Sequence, residues 1–111
     1  MLSSIAASLR KPREGETREL GFIERSECTS KGIFFYIKSG TQVVKLTSAV
    51  PEQIFLRGYT PDIAHLQMGC GMKAVEIPVV FVYKKTGDAK AKVHGELLSL
   101  EFVPPSFKLE N

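Results

Sequence analysis

Ile33-Phe34-Phe35-Tyr36-Ile37-Lys38-Ser39-Gly40-Thr41-Gln42-Val43-Val44-Lys45-Leu46-Thr47 is the stretch that decides the fold. Two runs of β-branched and aromatic residues flank Ser39-Gly40, and such runs around a two-residue turn signal a β-hairpin. A turn at Ser39-Gly40 pairs Lys38 with Thr41, Tyr36 with Val43 and Phe34 with Lys45 on one face. The other face then carries Ile33 with Leu46, Phe35 with Val44, and Ile37 with Gln42. The second set is the more uniformly apolar and is assigned to the core. The first leaves Phe34 and Tyr36 beside Lys38 and Lys45, an aromatic and cationic surface.

Working outward, Leu20 to Glu27 reads as a first strand with Gly21 allowing a bend, and Cys28 to Gly32 as the turn after it. Downstream, Pro51 breaks the ladder. Gln53–Arg57 and His65–Met68 are short strand candidates, and Ile77–Lys84 is strongly β, with Pro78 at its entry. Thr86 to Ala91 forms a loop. In the last strand, Val93–Phe102, the residues Leu98, Leu100 and Phe102 alternate with Ser99 and Glu101, which places the glutamate outward in solvent.

At the other end, Leu2, Ile5, Ala6 and Leu9 have the spacing of a short amphipathic helix, which Pro12 stops. Arg10 to Arg18 has linker composition. The expectation is a helical, charged lead-in over 1–18 and an all-β domain over 19–109, a small OB-like barrel of five to seven strands. A sandwich or SH3-like barrel is the alternative.

The 111 residues suit one domain with a real core, being 43% hydrophobic and carrying 15 basic and 12 acidic residues. The net charge of +3 is spread along the chain rather than clustered, a weak bias toward anionic partners. No apolar run approaches the roughly 18–20 residues of a membrane-spanning helix. Nothing in the pattern assigns an oligomeric state.

Gly21-Phe22-Ile23-Glu24 up to Cys28, Gly32-Ile33-Phe34-Phe35, Val44-Lys45-Leu46-Thr47, Met68-Gly69-Cys70-Gly71, Val79-Val80-Phe81-Val82-Tyr83, and Asp88 to Lys92 through Gly95-Glu96-Leu97 to Leu100-Glu101-Phe102-Val103-Pro104 form a series of segments. Together they resemble the C-terminal β domain of certain bacterial tetratricopeptide-repeat proteins. The similarity spans about residues 19–109, with Phe107-Lys108-Leu109 at the end. It implies an accessory module beside an upstream helical-repeat array, and it carries over no catalytic residue.

Chemistry-bearing motifs are sparse. Cys28 and Cys70 each sit beside a turn at a strand end. They can be neighbours joined by a disulfide, which points to a periplasmic or cell-surface setting, or two reduced core thiols of a cytoplasmic protein. Adding His65 and His94 gives no close ligand pair of the Cys-x2-Cys kind, so no metal or other cofactor is expected. No Gly-x-Ser-x-Gly is present, and Gly69-Cys70-Gly71 lacks the Gly-Lys-Ser/Thr of a phosphate loop. An enzyme using Cys28 or Cys70 with His94 is a further alternative, and it requires a third group to position the base.

The reading is therefore a non-enzymatic interaction module that contacts protein or cell-surface components. Its candidate contact residues are Phe34, Tyr36, Lys38 and Lys45, with Arg25 extending the positive rim. A binder of single-stranded nucleic acid using the same face is the alternative.

Overall fold

The computed structural model describes residues 9, 11–30, 32–48, 54–60, 70–85, 93–105 and 107. Six strands account for most of them: β1 (Glu16–Thr29), β2 (Gly32–Ser39), β3 (Gln42–Ser48), β4 (Phe55–Gly58), β5 (Val79–Lys85) and β6 (Gly95–Phe102). None of the described residues is helical. The helix expected over Leu2–Leu9 lies outside the described residues except for Leu9 itself.

β1 is long because it serves two partners. Its first half, Glu16–Gly21, runs antiparallel to β5, and its second half, Phe22–Thr29, runs antiparallel to β2. β2 and β3 form the hairpin, β5 and β6 pair antiparallel, and β3 meets β6 in parallel at Leu46–Gly95 and Thr47–Glu96. The circuit β1-β2-β3-β6-β5-β1 is thus a closed five-stranded mixed barrel. β4 adds an extra strand parallel to the second half of β6.

The interior follows from strand alternation. Ile33, Phe35 and Ile37 of β2, Val44 and Leu46 of β3, and Val79, Phe81 and Tyr83 of β5 all point inward. They meet Ile23, Ile54, Leu97, Leu100 and Phe102. Burying each such side chain contributes about 1.5–3 kcal/mol relative to exposure. Phe81 and Tyr83 stack with ring centroids 5.8 Å apart. Outside the barrel, Val80 packs in a second, smaller cluster with Leu9, Val103 and Phe107. This second layer explains why residues 79–83 are buried on both faces of the strand.

Four differences from the sequence expectation have physical causes. β1 begins at Glu16, inside the charged stretch expected as linker, because β5 supplies a pairing edge for polar residues as readily as for apolar ones. The hairpin turns at Gly40-Thr41 rather than Ser39-Gly40, so Tyr36 faces Lys45 and Phe35 faces Leu46. Gly40 adopts φ +62°, as the first position of a primed hairpin turn requires. The shift is even, so each side chain keeps its expected face.

In β6 the register slips between Val82 and Tyr83, leaving Leu98 unpaired and sending Leu97 into the core in its place. Finally, Glu101 is fully buried instead of solvated. β4 and the residue after it cover that side of β6, and the Tyr59 hydroxyl donates to Glu101 Oε2 at 3.1 Å.

Residues 72–75 run as a strap along the edge of β1 that β2 leaves free. The Ser26 N–H donates to the Met72 carbonyl at 3.2 Å and the Val75 N–H to the Ile23 carbonyl at 2.8 Å, while the Met72 N–H donates to Ser26 Oγ at 2.9 Å. Met72, Val75 and Ile77 cap the core from this side. A disulfide between Cys28 and Cys70, with Cα atoms 5.3 Å apart, fastens the start of the strap to the end of β1.

Two measurements test this frame. A Cβ at Gly21 would collide with the Lys38 carbonyl oxygen, where β1 presses on the end of β2. Gly21→Ala should therefore lower the unfolding free energy in urea by about 1–3 kcal/mol. The disulfide closes a loop of 42 residues. On the chain-entropy account its reduction should lower stability by about 4 kcal/mol, read as a fall in the urea midpoint on adding reductant.

Candidate functional site

Three cross-strand rows build the outer face of β1, β2 and β3. Phe22, Lys38 and Val43 form the first, Arg25, Tyr36 and Lys45 the second, and Glu27, Phe34 and Thr47 the third. All five residues singled out by sequence as contact residues, Arg25, Phe34, Tyr36, Lys38 and Lys45, stand on this one face. Phe34, Tyr36 and Lys45 are half-buried, and Arg25 and Lys38 are exposed.

A bulge in β1 sets the charge of the central row. The register of Phe22 and Ile23, continued unchanged, would bring Glu24 opposite Tyr36 and turn Arg25 toward the core. Instead the register shifts by one between Ile23 and Arg25, so Glu24 is unpaired, Arg25 faces Tyr36, and Ser26 points inward opposite Phe35. The central row is cationic for that reason.

The cations sit on the rings. The Arg25 guanidinium lies 3.7 Å from the Tyr36 ring centroid. Lys45 Nζ lies 4.8 Å from the Phe34 centroid and 5.4 Å from that of Tyr36. The quadrupoles of the rings attract the charges, and the side chains stay accessible. Arg25 also donates to Glu27 Oε2 at 3.0 Å, and this ionic hydrogen bond raises the guanidinium pKa further above its ordinary value. Lys38 and Lys45 make no ion pair among the described residues. The face therefore presents aromatic surface with two lysines that have no ionic partner among the described residues.

Two networks hold the face from behind. His94 brackets the backbone of Lys45: its N–H donates to the Lys45 carbonyl at 2.8 Å, and its Nδ1 accepts from the Lys45 N–H at 3.0 Å. This prolongs the short β3–β6 ladder by one residue. At the hairpin end, the Ser39 hydroxyl lies 3.1 Å from Glu19 Oε1 and 3.0 Å from the Leu20 carbonyl oxygen, and the Tyr83 hydroxyl donates to Glu19 Oε2. Burial, and then the Glu19 bond, push the Tyr83 pKa well above the ordinary phenol value. Tyr83 thus stays neutral at a pH where the unfolded chain's phenol ionises, so its contribution to stability is lost as pH rises past about 10.

Sequence reasoning missed Phe22, which is 44% exposed and belongs to the first row. The signal was the alternation of Leu20 and Phe22 with Gly21 and Ile23. His94 is exposed, and nothing in the local sequence marked its bond to the distant Lys45 backbone. His65 lies outside the described residues. Among the described residues no three of His, Cys, Asp and Glu gather as metal ligands, and no helix is long and apolar enough to cross a membrane. His94→Leu should cost about 1 kcal/mol and speed hydrogen exchange at the Lys45 amide, as measured by NMR.

Comparison with known proteins gave no match, whether to family models, to curated proteins or to solved structures.

Proposed function

We propose that this chain is a non-enzymatic interaction module that binds a protein partner through the outer face of β1, β2 and β3. The observation that carries the reading is the central row: Arg25 and Lys45 stand over Tyr36, so the face offers fixed cations framed by apolar surface rather than bare rings. Aromatic and arginine anchors are the side chains enriched at protein contacts. Phe22 and Val43, both more than two-fifths exposed, extend the apolar part.

The barrel is OB-like in this reading. Setting β4 aside, its strand circuit is first, second, third, fifth, fourth, and OB folds use the face of strands two and three for recognition. Resemblance to the β domain of bacterial tetratricopeptide-repeat proteins supports a place beside a helical scaffold. The Cys28–Cys70 disulfide supports an oxidising compartment, the periplasm or the cell surface.

The same face favours one further reading, the binding of single-stranded nucleic acid on Phe34 and Tyr36. The guanidinium already stacked on Tyr36 argues against it, because a base would have to displace that cation.

Two experiments decide between them. Immobilised full chain should enrich specific proteins from an envelope extract of the source cells, and a folded Arg25→Glu/Lys45→Glu variant should not. Equal enrichment by both overturns the proposal. Fluorescence anisotropy with a short labelled oligonucleotide at low and high salt should show no binding. Salt-sensitive binding that disappears in Phe34→Ala/Tyr36→Ala establishes the nucleic-acid reading instead.

A further inference from the structure

The first row of the face borders a groove of about 460 Å³. Leu20, Phe22, Pro78, Pro105 and Phe107 line it, with Lys38 as the charged group among its described lining residues. Phe107 and Leu20 belong to the outer cluster that packs on Val80, so the groove's apolar wall is continuous with a well-packed layer. Its volume falls within the range of small binding pockets and has room for a large apolar side chain.

We infer that the groove and the cationic rows together take a linear peptide segment, in which a large apolar side chain is followed within a few residues by aspartate or glutamate. This rests on the protein-binding reading above and names the partner's chemistry. The apolar side chain fills the groove. Lys38, directly opposite Phe22 at the groove, receives the nearest carboxylate. The next row, with Lys45 and Arg25, lies two residues along β2, about 6.6–6.8 Å away. Same-side side chains of an extended peptide repeat at that distance, so an acidic residue two positions further on reaches it.

Charge complementarity selects this occupant over a neutral one. Lys38 and Lys45 have no ion pair among the described residues, and Glu19, the carboxylate beside the hairpin end, is already engaged by Ser39 and Tyr83. Glu27 is engaged by Arg25, and Glu24 stands exposed in the bulge. The balance across the two rows nearest the groove is positive.

The test uses the full ¹⁵N-labelled chain and a synthetic peptide containing one phenylalanine followed by three aspartates in a Gly/Ser background. Saturable NMR shifts should appear at the amides of Gly21, Phe22, Lys38 and Gly40. Affinity should fall about tenfold when the peptide phenylalanine becomes alanine, and similarly in Lys38→Glu. It should weaken as salt rises from about 50 to about 300 mM.

Shifts that ignore the phenylalanine, or no shifts at all, overturn the inference. A parallel selection of random displayed peptides on the same chain separates the two levels. Binders that fail on Arg25→Glu/Lys45→Glu but lack the apolar-then-acidic pattern refute the groove inference and leave the face reading standing. If no selected binder depends on Arg25 or Lys45, the face reading falls and the groove inference with it.

Discussion

The change of partner by β1 at Gly21 is the constraint on which the rest of the structure depends. Up to Gly21 the strand is held by β5, and from Phe22 onward it is held by β2. The handover requires the backbone of β1 to lie against the Lys38 carbonyl with no side chain between them. That contact curls the sheet enough for β3 to reach β6, where the barrel closes, among the described residues, through two residue pairs and the His94 bracket. A chain that could not bend here would leave two open sheets, with Leu46, Phe81 and Leu100 sharing no interior.

Curvature and recognition surface are coupled through the same strand. Three residues beyond Gly21 the bulge at Glu24 adds twist, and it decides that an arginine and not a glutamate meets Tyr36. The outer face gains its positive centre from a backbone irregularity that simultaneously restores Ser26 to the inner side, where its hydroxyl accepts from the strap. One inserted residue therefore sets both the packing behind the face and the charge in front of it.

The hairpin was legible because alternation survives an error of two in register: Phe35 and Ile37 remain inside and Tyr36 outside wherever the turn falls by that amount. Irregularities that change phase by one were not legible. The bulges at Glu24 and Leu98 leave no compositional mark, and the second exchanged Leu98 for Leu97 in the core. Burial of Glu101 depends on β4 and Tyr59, which are distant in sequence, so local alternation assigned it to solvent. The contact face was readable residue by residue, but the stacking of Arg25 and Lys45 on its rings was not, since it arises from three strands meeting in one row.

Cys28 and Cys70 enclose β2, β3 and β4 within one covalent ring, whereas β5, β6 and nearly all of β1 lie on the chain outside it. Tension applied between the two ends of the protein is carried across the sulfur bridge and bypasses the ring. Stretching peels β5 and β6 from their neighbours yet withholds roughly 140–150 Å of contour, at about 3.3–3.6 Å per residue for the enclosed segment. In a module tethered at its ends, the strand pair that displays Tyr36 and Lys45 is mechanically insulated from the pull.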